Sequence, residues 1–234
     1  MIYYTGDTHG GKTKIIRFYH RMKLTAGDTI VILGDAGMNY YGDDRDEILK
    51  THLNLLGITI FSIHGNHEMR PATIPTYRTK EWNGGTVWYE ERFPNLLFAK
   101  DGEIYDLEGQ KSIVLGGAYS VDKFYRLARG YNWFSDEQPS EEVKADAEAA
   151  LDRLDWKVDQ VLSHTCPTKY TPTEAFLPGL DQSSVDRSTE DWLDSIEERL
   201  SYKRWFCGHW HIDKHIDRMH FLMDSFECVV GGDE

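Results

Sequence analysis

Hydrophobic and polar positions in the first quarter of the chain alternate between two patterns. Short apolar runs at 2–5, 29–33 and 58–63 are rich in Ile, Val, Leu and Tyr, as strands are. Between them, residues 12–23 and 44–56 carry apolar side chains at three- and four-residue spacing, which predicts helices. A β-α-β-α-β order predicts parallel strands joined by right-handed crossovers, with functional side chains gathered at the carboxyl ends of the strands. From 86 to 115 the pattern changes to short strands without long helices ("GGTVWY", "NLLFA", "EIYDL", "KSIVLGGA"), which suits antiparallel pairing in a second sheet. Ser140, followed by Glu141 and Glu142, reads as a helix start, and that helix runs to 154. A strand at 158–162 follows. Residues 165–187 hold three of the seven prolines and no clear period, and are read as a surface loop and candidate lid. A helix at 189–200, a short strand in "KRWFCGHWH" and a closing hairpin with its turn near Asp217 to Met219 complete the chain.

Composition narrows this to one globular domain over 1–234. The 39 acidic and 26 basic residues give a formal charge of −13, which opposes generic double-stranded DNA binding. The chain starts directly on "MIYYTGD", without a basic and apolar leader, and no window approaches the roughly 18 apolar residues that span a bilayer. A cytoplasmic protein without membrane contact is expected. Cys166, Cys207 and Cys228 are too scattered for a disulfide framework or a thiolate zinc site.

The chemistry lies where the predicted strands end. "GDTHG" delivers Asp7 and His9, "GDAG" Asp35, "GNHE" Asn66 and His67, "SHTCP" His164, and "GHWH" His209 and His211. Carboxylate, amide and imidazole donors together suit Mn, Fe or Zn, and their number exceeds what one ion needs, so two divalent metal ions are expected. In Asp7-Thr8-His9 and His209-Trp210-His211 the i, i+2 spacing can turn both side chains to one side of an extended segment. The remaining His20, His52, His215 and His220 end no strand in a glycine-flanked block and are read as surface or packing residues. His64 is read as a strand residue.

These five blocks, in this order from residue 5 to residue 211, resemble the calcineurin-like metallophosphoesterases. The resemblance implies a four-layer α/β/β/α sandwich of two mixed sheets flanked by helices. It implies one metal on Asp7, His9 and His211, a second on Asn66, His164 and His209, and Asp35 bridging them. It further implies hydrolysis of a phosphomonoester or phosphodiester by attack of metal-bridging hydroxide, with His67 near the leaving-group oxygen. Glu68 is a candidate for orienting an imidazole.

For substrate contacts, "GGAYSVDKFYRLARGYNWF" interleaves Lys123, Arg126 and Arg129 with aromatics, which fits a nucleotide-like ester. Lys123 and Arg126 are the candidates there, with Arg70 from the loop after "GNHE". A competing reading makes this stretch an amphipathic helix with its aromatics packed inward. The arginine that the family's protein-phosphatase branch carries in G-D-x-x-D-R-G is missing from "GDAGMNYYGDDRDE". A serine/threonine protein phosphatase is therefore the second reading, and a non-catalytic binding module the third. Trp82 and Trp88 suit either a core or an interface, and the oligomeric state stays open.

Overall fold

The computed structural model describes residues 1–176, 178–179 and 181–229. Its first sheet contains β1 (Ile2–Thr5), β2 (Thr29–Ile32), β3 (Thr59–Ser62), β4 (Tyr77–Trp82), β5 (Gly85–Glu90) and β6 (Leu96–Ala99). The second contains β7 (Ile104–Leu107), β8 (Gln110–Leu115), β9 (Gln160–Ser163), β10 (Arg204–Cys207), β11 (Lys214–Ile216) and β12 (Met219–Phe221). The last strand, β13 (Glu227–Cys228), returns to the first sheet. The strand orders are β13-β1-β2-β3-β6-β5-β4 and β11-β12-β10-β9-β8-β7. Strands β1, β2, β3 and β6 are mutually parallel, as are β8, β9, β10 and β12, and antiparallel strands close the edges.

Alternation along the strands builds three apolar layers. In the first sheet Tyr3, Ile30, Ile32 and Ile60 face outward onto Ile15 and Phe18 of α1 (Lys12–Met22) and Leu49 and Leu53 of α2 (Asp44–Asn54). Their neighbours Tyr4, Val31, Leu33 and Phe61 face inward onto Val114, Leu162 and Phe206 of the second sheet. That sheet turns Ile113, Val161, Trp205 and Met219 outward onto α4 (Glu141–Asp152) and α5 (Ser188–Arg199). The result is the expected α/β/β/α sandwich. Between the sheets the Tyr4 hydroxyl donates to Gln160 Oε1 at 2.7 Å, so its one polar atom is satisfied while the ring stacks on Phe206 at 4.5 Å.

Helix positions follow their signals. Ser140 caps α4 by accepting from the Val143 amide at 3.2 Å, and Asp43 caps α2 through the Arg45 amide at 2.9 Å. Two expectations need correction, and one strand was not anticipated. The strands of 86–115 do not form one antiparallel sheet: β5 and β6 join the first sheet, β6 runs parallel to β3, and β7 and β8 belong to the second. The segment after Pro75 forms β4, paired with β5 across Asn83–Gly84, both at positive φ; "NG" is the hairpin signal that announces it. The closing hairpin β11–β12 turns at Asp217 as expected, but the chain then crosses to pair β13 with β1. Trp82 and Trp88 are partly buried against the core. Among the described residues, 165–187 contains only single 3-10 turns, at Thr168–Tyr170, Thr173–Ala175 and Gln182–Ser184.

Candidate metal centre

Strands β1, β2, β3, β9 and β10 end at one rim, and each is followed at once by its polar block. Turning those side chains inward requires unusual backbone. His9, Asp35, His209 and His211 have φ of 44°, 48°, 64° and 51°, the left-handed region that Asp and His tolerate better than most residues. Two glycines admit a neighbouring strand end that a side chain would exclude. A Cβ on Gly65 would lie 2.0 Å from Asp35 Oδ1, and one on Gly208 2.3 Å from Asp7 Oδ1.

Through these approaches the backbone fixes one oxygen of each buried carboxylate. The His209 amide donates to Asp7 Oδ1 at 2.9 Å and the His67 amide to Asp35 Oδ1 at 2.8 Å. The Oδ2 atoms are left facing imidazoles. Asp7 Oδ2 lies 3.2 Å from His211 Nε2 and 3.6 Å from His9 Nε2, while Asp35 Oδ2 lies 3.7 Å from His164 Nε2 and 3.8 Å from His9 Nδ1. Asp35 therefore stands between the group Asp7, His9, His211 and the group His164, Asn66, His209.

The donor set fits divalent cations on hydrogen-bond grounds. His164 Nδ1 donates to the Leu33 carbonyl at 2.7 Å, so in the neutral ring Nε2 carries only a lone pair. That lone pair faces Asn66 Oδ1 at 2.8 Å, and Oδ1 also lies 3.1 Å from His209 Nδ1. The amide is held in this orientation because Asn66 Nδ2 donates to Ser120 Oγ at 2.8 Å. His9 Nε2 and His211 Nε2 lie 3.0 Å apart, and both face Asp7 Oδ2. At the buried His164–Asn66 pair, acceptor converging on acceptor calls for a cation between them.

Charge and burial shape the protonation of the site. Burial alone would raise the Asp7 carboxyl, but His164, His211 and His9 outweigh it and hold Asp7 below the usual carboxylate range. Asp35 is pushed up by burial despite His164. Burial drives His209 down to about 3 and His67 down to about 2, the Arg126 guanidinium adding to the second. Both rings are neutral and so have a lone pair to offer a hydrogen-bond donor or a cation. Hydrogen bonding to Asp7 raises His211.

The remaining candidates are placed as follows. Arg126, on α3 (Lys123–Arg129), reaches the site: its Nη2 lies 3.1 Å from His67 Nε2, its Nε contacts both Asp122 oxygens at 2.8 Å, and its Nη1 donates to the Tyr40 hydroxyl at 3.2 Å. Lys123 instead packs its ammonium 4.1 Å from the centre of the Trp133 ring. Arg70 is engaged by Asp101 and by the carbonyls of Asp136 and Gln138. Phe124, Tyr125 and Leu127 of α3 are exposed, contrary to an inward-packed helix. Glu68 is buried, pushed up to about 8 chiefly by burial, and accepts from the Gly65 amide at 3.2 Å. It braces the loop backbone, and among the described residues its hydrogen-bond partners are backbone amides, not an imidazole. Cys166 and Cys207 are buried, with thiols pushed well up by burial.

A cavity of about 830 Å³ opens over the centre. Tyr40, Tyr41, Tyr119 and Arg126 line one side, and Phe176, Val185, Arg187, Glu190 and Trp210 the other, several from the 165–187 segment. Sequence reasoning missed Ser120, Tyr40 and Glu190. Ser120 was within reach of the strand-end rule, because β8 is parallel to β9 and ends at the same rim.

The chain belongs to the calcineurin-like phosphoesterases, a family of metal-dependent phosphoesterases, whose sequence model matches residues 1–213. Among solved structures, that of TT1561 of Thermus thermophilus is similar in fold, with a TM-score of 0.52 over 95% of this chain and 87% of that one at 13% identity. No curated protein matches in sequence.

Proposed function

We propose that the protein is a phosphoesterase with a two-metal centre, in which Asp7, His9 and His211 hold one divalent ion, Asn66, His164 and His209 the other, and Asp35 both. The observation that carries this reading is the opposition of lone pairs at His164 Nε2 and Asn66 Oδ1, 2.8 Å apart, beside a carboxylate that faces both ligand groups. Such a pair of ions, Mn, Fe or Zn by the donor set, would lower the pKa of water and neutralise phosphate charge. The chain's own residues supply the rest. Arg126, clamped by Asp122 and Tyr40, presents a fixed guanidinium beside the centre where it can pair with phosphate oxygens. Neutral His67 accepts from Arg126 Nη2 through Nε2; with that N–H turned to a phosphate oxygen, the Nε2 lone pair would be free to take a proton from the attacking water and pass it to the leaving-group oxygen. The cavity's volume and aromatic walls suit a nucleotide-sized mono- or diester, with Thr171, Phe176, Val185 and Arg187 of the candidate lid in its lining.

The test is hydrolysis of p-nitrophenyl phosphate and bis-p-nitrophenyl phosphate by metal-stripped protein refilled with Mn. Cleavage of either ester by the wild type, lost in Asp35→Asn and in His67→Ala, is expected, and the preferred ester separates monoesterase from diesterase. Equal rates in the variants would overturn the assignment.

A further inference from the structure

A second cluster of metal-ligand side chains lies at the open edge of the sandwich, and strand alternation explains its existence. In the β1–β13 pairing Glu227 stands opposite Tyr4 and Cys228 opposite Tyr3. Directly paired residues share a face, so Glu227 points with Tyr4 into the space between the sheets. In β12, Met219 and Phe221 pack outward, leaving His220 on the inner face, where its ring lies 4.8 Å from Phe206. His215 pairs directly with His220 across the β11–β12 ladder, ring centroids 4.4 Å apart. Three strands from two sheets therefore bring His215, His220 and Glu227 together beside the inner layer. Glu227 Oε1 lies 2.5 Å from His215 Nε2 and Oε2 lies 2.7 Å from His220 Nδ1, and one ligand atom from each residue fits within a 4.8 Å span.

We propose that this cluster is a third, separate divalent-cation site of the zinc class, with two imidazoles and one carboxylate as ligands and a solvent-facing position left for water. The ligand set is the one zinc prefers where sulfur is absent. Tetrahedral bonds of about 2.1 Å require donor atoms roughly 3.3 Å apart, so His215 must swing outward slightly. Its side chain, 58% exposed, has room to do so. The site lies beyond residue 213, where the match to the family model ends. An ion here would join β13 of one sheet to β11 and β12 of the other. It would also tether the 208–213 loop, because His215 follows His211 by four residues. Without an ion, the imidazole N–H groups donate to Glu227 and the cluster is a simple hydrogen-bonded clasp.

The experiment is zinc stoichiometry of metal-stripped full-length chain by equilibrium dialysis and elemental analysis, with melting temperature followed against added zinc. The readout is the difference between wild type and the His215→Ala/His220→Ala double variant, which does not depend on how many ions the phosphoesterase centre holds. We expect the double variant to bind one equivalent fewer. We expect Glu227→Gln, which preserves packing, to bind that equivalent at least tenfold more weakly. Asp35→Asn/His164→Ala, impaired at the other centre, should keep it together with a zinc-dependent rise in melting temperature. Equal stoichiometry in wild type, double variant and Glu227→Gln would overturn the proposal and leave the clasp.

Discussion

Replacing Ser120 with alanine tests whether the metal centre depends on the orientation of one amide. Ser120 Oγ accepts from Asn66 Nδ2 at 2.8 Å, and that bond selects which end of the amide faces His164 and His209. Without it the flipped amide gains. Nδ2 would then stand where Oδ1 stands, 2.8 Å from His164 Nε2 and 3.1 Å from His209 Nδ1, and could donate to both. In the wild type the flip would put Oδ1 against Ser120 Oγ, whose hydrogen is given to the Glu137 carboxylate, so two acceptors would face each other and the wild-type orientation is preferred. Losing a buried hydrogen-bond partner costs about 1–3 kcal/mol. At about 1.4 kcal/mol per decade this corresponds to roughly 5- to 150-fold in affinity, the range seen when partners behind metal ligands are removed. The assay is a competitive Mn or Co titration against a chelator, resolving the two ions. We expect the ion on Asn66 to weaken by about 10- to 100-fold while the ion on Asp7, His9 and His211 changes little. Wild-type affinity for both ions in a folded Ser120→Ala protein would refute the role given to the amide.

Gly65→Ala pushes a methyl group to within 2.0 Å of Asp35 Oδ1, and this overpacking should cost about 1–3 kcal/mol, visible as a lower midpoint in urea denaturation together with lost metal; an unchanged midpoint would contradict it. Arg126→Ala should lower kcat/KM for the preferred ester by about a hundredfold with metal content unchanged, because Arg126 contacts His67 and no proposed metal ligand; a loss of bound metal instead would make Arg126 a structural residue. Glu190, buried and pushed up from 4.5 to about 7 chiefly by burial, binds its proton more tightly in the folded chain than in the unfolded one. Its contribution to stability is therefore complete below about pH 4.5 and is lost as pH rises towards 7 and above. Glu190→Gln keeps an acceptor for the Thr165 hydroxyl, so it should be more stable than wild type at about pH 8, by up to roughly 3 kcal/mol, and not at about pH 4.5. The same wild-type-to-variant difference at both pH values would show that Glu190 does not titrate in this range.

The strand ends were legible because two periodicities coincided there. A continuous apolar run such as 58–63 announces a buried strand, and an abrupt change to glycine with Asn66 and His67 announces its exit. What escaped was anything set by pairing between distant segments. Whether β6 lies parallel to β3 and β8 parallel to β9 depends on contacts that no local pattern encodes, and reading 86–115 as antiparallel hid the rim position of Ser120, which follows β8. Lys123 and Arg126 look equivalent in "DKFYRLAR", yet three residues along a helix change the direction by about 60° net of full turns, enough to send one to Trp133 and the other to His67. The Glu227 contacts were hidden for the same reason, since β13 changes sheets after the hairpin.

The same contrast says what kind of object the centre is. Its geometry is carried less by side-chain packing than by backbone: four of the proposed ligands sit at positive φ, and two carboxylates are each gripped by an amide that only a glycine's close approach permits. Left-handed φ in a non-glycine residue costs on the order of 1 kcal/mol, so the surrounding sheets must hold these turns in place. They do so with strands buried on both faces, Val31 and Ile32 ahead of Asp35 and Phe61 ahead of Asn66 being fully covered. Chemical variants that keep shape, such as Asp35→Asn, should therefore leave the fold standing and remove charge alone. Variants that add a single methyl group at Gly65 or Gly208 should do the reverse, displacing the carboxylate while leaving every proposed ligand present. A centre assembled from flexible side chains would respond more strongly to the first kind of change than to the second.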